Sequence, residues 1–335
     1  MPSHLSRRIV DFLLKNPLLV LLLVIVVAVQ LGTGSLLSWQ NMRGILIDGA
    51  IIAIVAIPCA MLVIAGYIDL SVGSTLALGG VVAGMVMNGA QGSPPVAVLL
   101  AVLAGTCVGL FNAVLVCVCG FSSFITTLGT LTAVRGVAQL LSPLPKNSFG
   151  PDFGLLGVGT LAGVPISVWI AAVLFIVAAL FLVRTPAGRH VYAIGVNREA
   201  AYLSGVKVRR IPFVLFMLSG AAAGLAGTVV VARLNSAPSG QLGIGFELAV
   251  LTAILLGGIA LTGGEGTMFG VAVGVLFLGI LNNSLVLLGV SSFWQSVASG
   301  LALIAAIALS AVVHRVRLAL DARASRSVAA GAQVT

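Results

Sequence analysis

Long apolar runs separated by short polar stretches fill the chain from residue 17 to residue 313. A bilayer-crossing helix needs about 20 mainly apolar residues. Ten stretches qualify, to within a few residues at each edge: 17–37, 44–66, 70–88, 95–119, 122–141, 164–183, 212–232, 246–262, 267–289 and 292–313. The third, fifth and eighth are short or rich in Gly, Ser and Thr, which makes them the natural places for a broken or re-entrant segment. The pattern predicts an all-α membrane protein of about ten transmembrane helices, forming one domain over residues 1–335. Residues 1–16 and 314–335 remain as polar tails, and 184–211 is the longest internal polar segment.

Composition agrees. Of 335 residues, 60% are hydrophobic and 7% charged, where a soluble domain carries roughly 25% charged residues. The 41 glycines suit membrane helices whose backbones approach closely. A net charge of +9 does not point to nucleic acid, because the cations sit between apolar runs. With the N-terminus inside, 13 of the 17 Lys and Arg fall on the inner side: Arg7, Arg8 and Lys15, six between Arg184 and Arg210, and four between Arg315 and Arg326. Arg43, Arg135, Lys146 and Arg233 are the remainder. This bias satisfies the positive-inside rule for an even number of spans, so both termini are predicted to be cytoplasmic. The first run follows cations without a clear small-residue cleavage site and is read as a membrane helix, not a leader. Cys59, Cys107, Cys117 and Cys119 lie in apolar stretches without metal-ligand spacing, which predicts buried packing residues.

Two Gly-rich stretches, "GYIDLSVGSTLALGG" (66–80) and "GGIALTGGEGTMFGV" (257–271), align without gaps at an offset of 191. Gly66/Gly257, Ile68/Ile259, Leu70/Leu261, Gly73/Gly264 and Gly79/Gly270 match. They suggest an internal two-fold repeat, a common construction in transporters.

Asp69 stands out within the first of these. An acid at a membrane-helix centre costs roughly 2.5–3.5 kcal/mol, so a helix junction is the better place for it. As the cap of the third span it can accept from the N–H of Ser71 or Val72, with Ser71 and Ser74 completing a turn around Gly73. A polar group beside a solute path is the second reading, and the two are compatible. Asn112, Phe124, Thr126, Thr127, Thr130, Arg135, Glu247, Asn282 and Asn283 are further candidates for lining such a path. For the amides and hydroxyls, bonding one helix to another is the competing role. Arg135 and Glu247 are predicted near the outer ends of their spans.

The polar segment "RTPAGRHVYAIGVNREAAYLSGVKVRRIP" (184–212) holds a complete short helix, "NREAAYLSG". Asn197 is a good N-cap, Glu199 stands in the first turn, and Gly205 suits the position after the last turn. Ala200, Ala201, Tyr202 and Leu203 give it a docking face, and two turns alone in water need a support.

"EAAYLSG" resembles the EAA–x3–G signature of permease subunits in bacterial ABC importers. "GYIDLSVGS", "FITTLGTLTAVRG" and "ELAVLTAILLGGIALTGGEGTMFG" resemble the ribose/xylose-type sugar permeases, over roughly residues 40–312. The resemblance implies a multi-pass protein of the bacterial inner membrane that passes a monosaccharide delivered by an extracytoplasmic sugar-binding protein. It implies pairing with a second permease subunit, as a homo- or heterodimer. It also implies a separate ABC ATPase that holds ATP and Mg, so that this chain binds no cofactor, and makes Asn197, Glu199, Ala200, Ala201, Leu203 and Gly205 the ATPase-coupling residues. No GxxxxGK[ST], HExxH or GxSxG occurs in the chain. Another solute on the same architecture (a nucleoside, a branched-chain amino acid, a furanosyl signal) and an ion-coupled secondary transporter stay open as alternatives.

Overall fold

The computed structural model describes residues 17–88, 92–291, 293–295, 297–305 and 308. The predicted tails, 1–16 and 314–335, and the end of the tenth predicted span lie outside them.

Apolar runs bounded by Gly, Pro and Ser become helices α1 (Pro17–Thr33), α2 (Trp39–Ile64), α3 (Val72–Val86), α4 (Pro94–Ala113), α5 (Ser123–Leu141), α6 (Pro151–Val158) and α7 (Ile166–Arg184). They continue as α8 (Pro186–Val196), α9 (Arg198–Leu203), α10 (Arg210–Leu234), α11 (Phe246–Leu256) and α12 (Met268–Leu287), followed by helical residues 293–295 and 297–305. A π-helical turn, Val114–Val118, extends α4. Four two-residue strands form two antiparallel pairs: β1 (Lys146–Asn147) with β4 (Ser236–Ala237), and β2 (Thr160–Leu161) with β3 (Val164–Pro165).

Among the described residues, six helices are long and apolar enough to cross a membrane: α2, α4 with its π turn, α5, α7, α10 and α12. Helices α1, α3 and α11 are apolar but shorter. The eighth predicted span, 246–262, is cut at Leu256, and Gly258 follows with φ +83°. The fifth, by contrast, is an unbroken helix of 19 residues.

Helices α2 and α10 are the buried centre of the bundle, whereas α5 and α7 lie at its edge. Edge helices present Leu21, Leu23 and Val24 of α1, and Val173, Ile176 and Leu180 of α7, outward. A water-soluble protein would not sustain such a girdle, and lipid tails cover it at no cost. Cys59 and Cys117 are buried, but Cys107 and Cys119 are exposed on this girdle, so the expectation of four buried thiols holds for two.

Backbones meet directly where α4 crosses α10. A methyl group on Gly105 would collide with Gly220 O, one on Gly220 with Gly105 O, and one on Gly109 with Phe216 O. Gly79 and Gly224 make the equivalent contact between α3 and α10. These are small-residue crossings of the kind that hold membrane helices together by van der Waals contact.

The suggested repeat marks similar local structure only in part. Residues 66–71 and 257–262 are both turn and loop after a helix, and 77–80 and 268–271 are both helical, but residues 72–76 open α3 while their partners 263–267 are turn and loop that precede Met268 of α12. Gly79 and Gly270 each make a close backbone contact, whereas Gly66 has a positive φ that its match Gly257 lacks.

Candidate functional site

Two regions collect the polar residues that an otherwise apolar bundle retains. The first is the junction between α2 and α3. Both carboxylate oxygens of Asp69 are engaged: Oδ1 accepts from Ser71 N at 3.0 Å and from Ser71 Oγ at 2.6 Å, and Oδ2 accepts from Ser219 Oγ at 2.7 Å. Ser74 Oγ and Thr75 Oγ1 each donate to Ser71 O at 2.9 Å. The predicted bond from Ser71 N–H to Asp69 is present, but it forms a turn just ahead of the helix, whose N-cap is Ser71, and Asp69 has a tie to α10 that the sequence did not reveal. From Ser71 the network runs outward. Asn112 Nδ2 donates to Ser71 Oγ at 2.9 Å, and Thr130 Oγ1 donates to Asn112 Oδ1 at 2.7 Å. Thr127 Oγ1 accepts from Leu70 N at 3.1 Å. Four helices and one junction share a single hydrogen-bonded cluster, and such a cluster strongly disfavours the loss of any one member.

The second region is the break before α11. Residues 238–245 run back into the bundle beside α3: Leu242 packs on Gly80, and Gly243 packs against the backbone of Gly73. Arg135 of α5 donates to Leu242 O and, at 3.0 Å, to Gly243 O. Glu247, in the first turn of α11, places Oε2 against Gly73, where it is buried with no hydrogen-bond partner among the described residues.

Depth follows from α10. Ser219, bonded to Asp69, and Gly227, packed on Leu76, stand about 14 and 26 Å along it from Arg210 at 1.5 Å per residue. Gly73 lies between them in chain order, so Glu247 and Arg135 meet near the middle of the bundle. The expectation that both sit near outer ends is corrected: it assumed a full-length eighth helix, and the break at 238–245 lowers the start of α11.

The remaining path candidates divide. Asn283 and Asn41 exchange two hydrogen bonds of 2.8 and 2.9 Å, and Asn282 Oδ1 accepts from Ser299 Oγ at 3.3 Å. With Asn112 and Thr127 they bond helix to helix, the role weighed against a path. Phe124 is half exposed on the outer face of α5. Thr126 lines a shallow groove of about 530 Å³ with Phe111, Phe121 and Gly129.

At the end of the bundle where Ile64 and Gly264 meet, the basic segment forms two helices. In α9, Asn197 Oδ1 accepts from Ala200 N at 2.9 Å, the predicted N-cap. Gly205 has φ +82°; its N–H donates to Tyr202 O, and Val206 N–H donates to Ala201 O at 3.0 Å. This paired closure needs a left-handed residue after the last turn, which glycine adopts without strain. Ala201 is buried against the bundle, while Glu199, Ala200, Tyr202 and Leu203 are exposed, Leu203 to 79%. Helix α8 was missed in the sequence. Its signals are Thr185 as N-cap, accepting from Gly188 N at 3.0 Å, then Pro186, then buried Gly188, Val191 and Ile194 three residues apart. Tyr192 of α8 donates to Gly266 O at 3.0 Å, and burial raises the pKa of its phenol, which keeps it a donor.

Comparison with known proteins places this geometry. The ribose import permease protein of Escherichia coli (strain K12) is 36% identical over 301 residues, covering 88% of this chain and 93% of the relative. The L-arabinose ABC transporter permease protein of Azospirillum brasilense is 33% identical over 307 residues, 91% of this chain and 90% of the relative. The D-allose transport system permease protein of E. coli (strain K12) is 32% identical over 297 residues, 88% and 91%. No solved structure matches the chain. Residues 41–307 match the family described as branched-chain amino acid transport system / permease component, and the chain belongs to that family of membrane permeases.

Proposed function

We propose that the chain is the membrane permease subunit of an ATP-driven importer in a bacterial inner membrane, and that its solute is a monosaccharide. Ten passages with both termini cytoplasmic fit the chain: α1, α3, α11 and the helix that begins at Phe293 would supply the short ones. The basic end, with Arg184, Arg189, Arg198, Lys207, Arg209 and Arg210, would then face the cytoplasm.

The observation that carries this reading is α9: a helix of six residues, capped at both ends, whose Tyr202 and Leu203 point away from the bundle. A capped, protruding helix with an apolar tip fits a partner's groove, and that partner is proposed to be an ABC ATPase holding ATP and Mg. A binding protein would deliver the sugar to the opposite end, and a second permease copy or paralogue would complete the path. Relatives named for ribose, arabinose and allose support the solute class. A branched-chain amino acid, as in the family description, is the alternative solute.

The test is a pull-down from native membranes in mild detergent. The wild-type chain should retain a P-loop ATPase at fixed stoichiometry, and Glu199→Arg should lose it while inserting and accumulating normally. An unchanged ATPase yield in that variant would remove Glu199 from the docking surface. A preparation without any ATPase would overturn the importer reading.

A further inference from the structure

The last turn of α8 is wedged between the end of α2 and the loop that follows α11. Gly195 lies against Ile64 O and Gly264 N, so closely that a methyl group there would collide with both, and Gly264 N–H donates to Ile64 O at 2.7 Å. Gly263 packs in turn on Gly66. Three residues beyond Gly195, the Arg198 guanidinium lies over the Tyr67 ring, 5.9 Å from its centroid. Tyr67 is buried, meets Phe216 of α10 edge-on at 6.1 Å, and has a hydroxyl with no hydrogen-bond partner among the described residues. It stands two residues before Asp69.

We propose that Arg198 and Tyr67 are the link through which α9 moves the 66–71 junction, with the Gly195–Ile64–Gly264 backbone contact as the pivot. This rests on α9 being the ATPase-facing helix. Arg198 opens that helix, so any tilt of α9 carries the guanidinium with it. A cation on an aromatic face has no fixed donor–acceptor direction, so the contact survives sliding where a short hydrogen bond would break. The buried ring is held by Phe216 on one side and continues covalently into Ile68 and Asp69. Displacement of the ring must therefore reach Ile68 N–H and Leu70 N–H, which are held by Ser123 Oγ and Thr127 Oγ1 of α5. The pivot keeps the segment from translating as a whole, because Gly195 leaves no gap to slide through. The unpartnered Tyr67 hydroxyl fits the same role, since the ring is held by its face and edge and not by a bond at its tip.

Hydrogen–deuterium exchange on the complex copurified from native membranes tests the link, with Mg-ATP and vanadate as the probe. In the wild type, exchange across residues 62–74 should change at least threefold on addition of the probe. Arg198→Gln should abolish the change while the ATPase still copurifies, and Tyr67→Phe, which keeps the aromatic face, should preserve it. An equal response in Arg198→Gln, or its loss in Tyr67→Phe, overturns the proposal. So does loss of the ATPase in Arg198→Gln, which would make Arg198 a docking residue. Retention of ATPase by Glu199→Arg bears on the docking reading alone.

Discussion

Two helices in this bundle begin inside it, and their first turns are finished in opposite ways. At the start of α3, Asp69 accepts three hydrogen bonds and leaves neither oxygen idle. At the start of α11, Glu247 buries one oxygen against Gly73 without a partner, and the nearest cation, Arg135, donates to backbone carbonyls instead. Each acid has the helix N-terminus behind it, which favours negative charge. What differs is the supply of donors. The first junction has two serines in reach, one from its own turn and one from α10. The second has Leu242, Gly243 and Phe246 around it, and none of these offers a side-chain donor. At one junction every oxygen of the acid is satisfied; the other buries a carboxyl oxygen without a donor.

The largest expected effect comes from dismantling the fully bonded junction. Asp69→Leu strands the Ser71 hydroxyl proton and the Ser71 N–H in an apolar interior and leaves the Ser219 hydroxyl only the sulfur of Cys59, at 3.4 Å. Unsatisfied buried donors cost about 1–3 kcal/mol each, so the variant should lose most of its monodisperse protein on heating in detergent, measured by size-exclusion chromatography after a temperature series. A midpoint equal to wild type would break the contrast. Glu247→Gln sharpens it in the other direction. Gly243 O lies on the same side of Gly73 as Oε2, so an amide can donate where the carboxylate cannot. Its midpoint should be equal or higher, by about 1 kcal/mol in stability, in the same assay. A fall as deep as that of Asp69→Leu would mean both acids are equally well bonded. The smallest change is expected for Thr127→Val, which removes the acceptor for Leu70 N–H at the periphery of the first cluster. About 1 kcal/mol should be lost, readable as a modest drop in midpoint, and double substitution with Asp69→Leu should cost less than the sum.

Much of this was legible beforehand where local chemistry decides. Asn197 and Gly205 close α9 from within the sequence, and Asp69 caps a junction because "IDLS" places acceptor and donors two residues apart. Apolar run length located the long spans for the same reason, since helix and bilayer share one dimension. What escaped depends on the rest of the fold. The depth of Glu247 is set by residues 238–245 packing on α3, and Gly243 meets Gly73 from 170 positions away in the chain. Ser219 looked like any serine in a Gly-rich helix until α10 crossed the junction. Helix α8 hid inside a polar segment because its buried face is narrow, Gly188, Val191 and Ile194. Glycine matches between 66–80 and 257–271 follow the local structure at their ends but not at 72–76, where α3 has begun and α12 has not.

The crossing of α4 and α10 has a consequence for motion. Where Gly105 faces Gly220 and Gly79 faces Gly224, main chain rests on main chain, and no side chain stands between them to change rotamer. A contact of that kind has no alternative packing to switch into. Helices α3, α4 and α10 are thus locked to one another at these glycines, and a movement that reached one of them would have to carry all three.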